Sequence, residues 1–135
     1  MINYFFEQIP SADIQASTTE WLTSLVEEEG KKVGEISYIF CDDEYLLSIN
    51  KTYLQHDYYT DIITFDYVKG NIINADIFVS LPRVLENSKS LSTTYDQEFH
   101  RVLAHGLLQL CGYKDKTTEE EAQMRAKENF YLEKR

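Results

Sequence analysis

Cysteine is scarce in this 135-residue chain: Cys41 and Cys111 are the two present, 70 positions apart and in no Cys-x-x-Cys pair. Buried reduced thiols are therefore expected, in place of a disulfide framework or a redox pair. Basic residues are also short, with 13 Lys and Arg against 23 Asp and Glu and a formal net charge of −10. That balance excludes a protein that coats long nucleic acid through a broad basic face, but leaves room for a short, locally basic cleft. No apolar run approaches the roughly 20 residues of a membrane span, so no membrane partner is expected. The opening MINYFFEQIP lacks the basic start and long apolar core of a signal peptide, which makes the cytoplasm the expected compartment. Repeats, low-complexity tracts and Pro/Gly-rich linkers are absent. Hydrophobic residues make up 43% and charged residues 27%, ordinary globular usage that suits one domain over residues 1–135 with one core.

The patterning that is present gives a clear element order. Residues 2–6 read as a short strand. A helix follows to about Glu29, with Trp21, Leu22, Leu25 and Val26 on one face and Gly30 as its stop. Residues 33–41 make a mostly apolar strand, and Asp42 or Asp43 can cap the next helix, which carries Leu46, Leu47, Ile49 and Tyr53. Residues 61–67 and 72–79 are strands joined through Lys69-Gly70-Asn71, a hairpin turn. Pro82 suits the first turn of a short helix to about Ser88. Thr94 with Gln97, and Thr117 with Glu120, read as capping boxes for two further helices. On the first of these, Phe99, Val102, Leu103, Gly106, Leu107 and Leu110 form a buried stripe. The acidic runs Glu27–Glu29 and Glu119–Glu121 read as solvated helix faces, the second also fitting a helix N-terminus. The order β-α-β-α-β-β-α-α-α predicts an α+β fold, a four-stranded mixed sheet packed with helices.

The chemistry concentrates in His105 to Asp115, HGLLQLCGYKD. Residues i and i+4 share a helix face, so His105 and Gln109 project side by side. Gly112 can take positive φ, end the helix and fold Asp115 back toward them. This is the spacing of a zincin-like helix-and-turn metal site, H-x-x-x-H-x-x-G-x-x-H/D, with glutamine at the middle ligand position. Imidazole nitrogen and carboxylate oxygen both suit zinc, whereas a neutral amide is a weaker donor to it. A packed or solvated His105 is the competing reading. Gly106 stands where a zinc protease of this spacing carries its glutamate base, so peptide hydrolysis by that mechanism is disfavoured. Cys111 points about 200° around the helix from Gln109, and His100 about 140° from His105, so neither is expected at the site. His56 is expected to be exposed.

Three blocks resemble the YbeY family of bacterial endoribonucleases. HRVLAHGLLQLCGYKDKT resembles its H-G-x-L-H-L-x-G-Y-D-H signature, INKTYLQHDYYTDIITFDY its L-N-x-x-Y-x-x-x-D-x-P-T-D-V-L-S-F block, and NADIFVS its G-D-I-x-I-S strand. The resemblance implies a zinc-dependent endoribonuclease specific for single strands, acting in rRNA maturation at the 3′ end of small-subunit rRNA and in ribosome quality control. It implies one zinc per chain, with His105 and Gln109 at the first two ligand positions and Asp115 at the third. Single-stranded RNA, rRNA or ribosomal subunits are the implied partners, and DNA is not. Thr60 and Asp61 match the T-D pair, and Asp76 the acid of the strand block. The chain departs from the family pattern at Gln109, at Leu54 for arginine, at Tyr59 for proline and at Ala75 for glycine.

The mechanism so implied is hydrolytic. An ion on His105, Asp115 and the amide of Gln109 lowers the pKa of water for attack on a phosphodiester. Asp61 is the candidate base, and Arg101 or Arg83 the candidate phosphate contact; a turn-capping acid and surface salt bridges are the plainer alternatives. The rival class is a ribosome-assembly or RNA-binding factor that keeps the fold but is catalytically impaired through Gln109 and Leu54.

Overall fold

The computed structural model describes all 135 residues. Five helices pack with one four-stranded mixed sheet, an α+β architecture in the expected element order. The strands are β1 (Ile2–Glu7), β2 (Lys32–Cys41), β3 (Ile62–Asp66) and β4 (Ile72–Ser80); the helices are α1 (Ala16–Glu28), α2 (Asp43–Leu54), α3 (Leu81–Ser90), α4 (Tyr95–Leu110) and α5 (Thr118–Leu132). The sheet runs β1-β2-β4-β3. β1 and β4 flank β2 in parallel, and β3 lies antiparallel on the outer side of β4. Gly70, at φ +60, closes the β3–β4 hairpin in the left-handed region that a two-residue turn requires. No helix is long and apolar enough to cross a membrane.

Local sequence explains most of the helix ends. Asp42 caps α2 by accepting the Tyr45 amide at 2.8 Å, and Ser80 caps α3, with Pro82 in its first turn. Thr117 and Glu120 form the complete capping box expected for α5. At α4 only half of the expected box forms: the Thr94 hydroxyl accepts the Gln97 amide at 3.0 Å, without the reciprocal bond from the Gln97 side chain.

The core lies between the sheet and the helices α1 and α4. Trp21, Leu22, Leu25 and Val26 of α1, the inward residues of β2 and β4, and Val102, Leu103 and Leu107 of α4 form one buried cluster. α4 sits low on the sheet at Gly106, where a Cβ would stand 3.0 Å from the Ile62 side chain. That close approach sets His105, the next residue back, over the start of β3. His100 turns the other way and is buried against α1, bonded to the Thr18 hydroxyl at 2.9 Å and to the Asp96 carbonyl at 2.8 Å. Cys41 is buried, but Cys111 only partly so. Burial raises both thiols, to about 12 and about 11, so both stay protonated at neutral pH.

In the first acidic run Glu27 and Glu28 are exposed, as expected of a solvated face, but the third acid departs from it. Glu29 folds inward at the end of α1 and gathers three groups from the C-terminal part of the chain. It accepts from the Tyr113 hydroxyl at 2.8 Å and from Lys127 at 3.2 Å, and it also accepts from the Tyr131 hydroxyl. The turn after α4 and the body of α5 are thereby fastened to α1. An alanine here would leave the two hydroxyls and an ammonium without their shared acceptor. Glu29→Ala is expected to lower stability by about 1–2 kcal/mol, the lower part of the range for stranding polar partners, because these are only partly buried. Urea denaturation checks this; a loss under about 0.5 kcal/mol, the scale of a surface substitution, would mean the clamp carries little.

Candidate functional site

The expected helix-and-turn forms a wall of a cleft of about 680 Å³ between α3, α4 and α5, lined by His105, Asp115, Asp61, Arg101, Glu98 and Glu128 among others. α4 supplies three of these from one edge: Glu98, Arg101 and His105 follow each other at steps of three and four. Gly112, at φ +112, ends α4 and reverses the chain, and Asp115 then stands with Oδ2 3.3 Å from His105 Nε2. Asp61 enters at the head of β3, where Asn87 of α3 donates to its Oδ2 at 3.3 Å.

Glu128 of α5 organises the centre. Its side chain is 6% exposed and is held between two bases. Arg101 Nη1 donates to Oε1 at 3.0 Å, and His105 Nδ1 lies 2.8 Å from Oε2. Burial disfavours the carboxylate, but the bonds and charges of His105, Arg101 and Arg125 outweigh it and hold Glu128 below the usual range. His105 mirrors this. Burial lowers its pKa, but the bond and charge of Glu128 and the charges of Asp115 and Asp61 raise it overall.

This arrangement fixes the imidazole's chemistry. With Nδ1–H committed to ionised Glu128, the neutral ring presents a lone pair at Nε2 toward the carboxylate of Asp115. Two acceptors 3.3 Å apart require a positive charge between them, a proton or a cation. The separation also matches the edge of a tetrahedron with bonds of about 2.0–2.1 Å, the zinc geometry. His105 and Asp115 therefore fit two positions of such a site. Gln109 does not complete it here: its Oε1 accepts from Thr64 Oγ1 at 3.5 Å, beside β3 and outside the cleft lining. No group of three or more His, Cys, Asp or Glu side chains is arranged to hold an ion.

The remaining sequence candidates divide. Arg101 lies in the cleft but is spent on Glu128 and on Asn129, to which it donates at 2.9 Å. Arg83 stands outside the cleft lining, paired with Asp43 at 2.8 Å, because α3 turns its first turn toward α2. Asp76, Thr60 and Leu54 are likewise not among the lining residues. His56 is exposed. Asp61 is raised mainly by burial, which outweighs the opposing charge of His105.

Sequence reasoning missed Glu128, Glu98, Asn87 and Arg125. A signal existed for Glu128: it interrupts the apolar face of α5, between Met124 and Tyr131–Leu132, all buried. A carboxylate in a buried stripe needs a cation, and the one on its own helix within reach, Arg125, is largely exposed. Glu98 is 4% exposed, with Oε1 unpartnered; burial and then the charge of Asp61 raise its pKa. Arg125 is the most exposed cation of the cleft lining, its side chain 55% open and 3.7 Å from Glu128 Oε1.

Fold and cleft together define a class: a small α+β protein whose α4–turn–α5 segment sets a histidine among carboxylates over the start of an edge strand. The profile of the family described as Endoribonuclease YbeY matches residues 3–135. A Flavobacterium johnsoniae protein named Endoribonuclease YbeY is 51% identical over 129 residues, covering 96% of this chain and 93% of its own length. A Bacteroides fragilis protein of the same name is 49% identical over 132 residues, covering 97% of this chain and 95% of its own. The fold is shared with the solution structure of TM1509 from Thermotoga maritima, at TM-score 0.73 and 24% identity, over 98% of this chain and 87% of that one. The chain belongs to the YbeY family, whose members are generally metal-dependent.

The raised folded value of His105 carries a sign. Its contribution to stability is complete below its unfolded value of about 6.5 and is lost as pH rises through the folded value. Metal-free protein should therefore lose stability as pH rises above about 6.5 and through the raised folded value of His105, and Glu128→Gln should shrink that loss. Chemical denaturation across the range measures it; equal slopes in both proteins would sever the Glu128–His105 link.

Proposed function

We propose that this chain is a metal-dependent endoribonuclease that hydrolyses single-stranded RNA in the cytoplasm, in rRNA maturation at the 3′ end of small-subunit rRNA and in ribosome quality control. Membership of a family whose close relatives are named endoribonucleases supports the activity. The facing of His105 Nε2 and Asp115 Oδ2 at 3.3 Å is the observation that carries the site. The impaired-factor alternative is not favoured by those relatives.

Zinc is the proposed ion, which His105 and Asp115 would hold; the Gln109 amide oxygen would join as a third, weaker donor only by turning away from Thr64. Bound there, it would supply Lewis acidity, polarising a phosphoryl oxygen and lowering the pKa of water. The chain's own residues do the rest. Glu128 fixes the ring so that Nε2 faces the cleft. Asp61, raised by burial, is a stronger base than an exposed carboxylate and is suited to take the proton from attacking water. Arg101, already neutralised by Glu128, sets the shape of the cleft wall, and Arg125, loosely tethered, meets the phosphate. Arg83 remains a weaker candidate for a more distant phosphate.

Gln109→His supplies the third strong donor. It is expected to raise zinc affinity about 10-fold or more and to increase cleavage of single-stranded RNA. Isothermal titration with zinc and a cleavage assay read the two effects; no gain in either would sink the site as drawn. Asp61→Asn should lower kcat about 100-fold, with the melting temperature kept. Undiminished turnover in that variant would remove Asp61 as the base.

A further inference from the structure

The last turn of α2 and the loop from it to β3 carry flat side chains that the hydrolytic reading leaves unused. Tyr53, Tyr58 and Tyr59 are 64%, 56% and 47% exposed. Two of them are held in place although they face outward. The Tyr58 ring stacks on His56, with centroids 5.2 Å apart and planes 19° from parallel, and its hydroxyl meets His56 Nδ1 at 3.0 Å. The Tyr58 carbonyl accepts from the buried Asn50 amide at 2.9 Å, which anchors the loop from beneath. Tyr59 donates its hydroxyl to Glu44, and the Arg83 guanidinium lies 5.2 Å from the centre of its ring. Each pair joins a flat ring to a second flat group.

This surface lies outside the cleft lining but is tied to it through the chain before β3 and through α3. Tyr59 precedes Asp61 by two residues, and Asp61 lines the cleft. α3 joins the two places: Asn87 donates to Asp61, while Arg83, four residues earlier on the same helix face, meets Tyr59. About one helical turn, roughly 5.4 Å of rise, separates Arg83 from Asn87 along α3.

The geometry points to a nucleobase platform, in which the His56–Tyr58 stack and the Tyr59–Arg83 pair take unpaired bases of the RNA whose phosphate occupies the cleft. This rests on the RNA reading above and adds to it how a strand is recognised. Every base has a π-face, so stacking tolerates any sequence, and it needs bases that are not already stacked within a duplex. The platform thus supplies a physical source of single-strand selectivity. It also works in a chain of net charge −10. The acids around it are already engaged: Asp43 accepts from Arg83 at 2.8 Å and from Ser80 at 2.7 Å, and Asp57 faces Lys51 at 3.4 Å.

The test uses the full chain, a fluorescent single-stranded RNA of about eight nucleotides, and the same backbone with abasic positions. Wild-type protein should bind the natural strand more tightly than the abasic one. Tyr58→Ala with Tyr59→Ala should weaken binding of the natural strand about 10-fold or more and erase that preference, whereas Tyr58→Phe with Tyr59→Phe should stay within about 2-fold of wild type. In cleavage assays the alanine pair should raise KM and leave kcat nearly unchanged, with an unaltered melting temperature. Wild-type cleavage with no effect of the alanine pair on binding or KM would overturn the platform and leave the nuclease reading standing. The platform falls in the same way if the alanine pair loses only binding to a basic protein of the ribosomal subunit. Failure of the wild-type protein to bind or cleave any single strand would remove both readings.

Discussion

A single buried negative charge sets the terms for this structure. Glu128 lies almost wholly inside, and a carboxylate taken out of water is tolerable only with cations and hydrogen bonds around it. Arg101 and His105 meet that demand from one edge of α4. The requirement therefore acts as a register between α4 and α5: a slip of either helix by one residue would leave the charge bare. The same bonds spend one nitrogen of His105 on structure and direct the other at Asp115. Stability and the chemistry of the cleft are set by one contact.

Around that contact the fold supplies reinforcement at a distance. Glu29 ties the end of α1 to Tyr113 in the turn and to Lys127 and Tyr131 on α5. Gly106 lets α4 settle close to Ile62 and Ile77, which sets the depth of His105 above the sheet. Neither residue touches the cleft centre, yet together they fix where Asp115 and Glu128 stand. Five carboxylates line the cleft with two arginines and one histidine. Several of those acids are shifted in opposite senses, Glu128 down by its bases and Asp61 and Glu98 up by burial. Groups whose pKa values are driven apart within one cleft are suited to divide the acid, base and structural roles among themselves.

The element order was legible because it depends on local signals. Apolar spacing, capping residues and the Lys69-Gly70-Asn71 turn gave the strands, the helices and the hairpin, and the α+β architecture follows from their order. Errors arose where a long-range partner changed the meaning of a local pattern. Glu29 resembled a solvated acid because its tyrosine partners lie 84 and 102 residues away. Gln97 has the type and spacing of a capping partner yet does not close the box. Arg83 has the charge expected of a phosphate contact, but α3 delivers it to Asp43 and Tyr59.

The amino-acid order alone determined the period of each element, the shared face of His105 and Gln109, and the glycine that lets the chain reverse before Asp115. These follow from backbone geometry, which acts over a few residues and needs no partner. Packing alone decided that Glu128 would hold His105, that Gln109 would turn to Thr64, and that Tyr59 would meet Arg83. Those outcomes depend on which side chains meet across helices and strands distant in the chain, and on which charges must pair once water is gone. Such information resides in the tertiary arrangement.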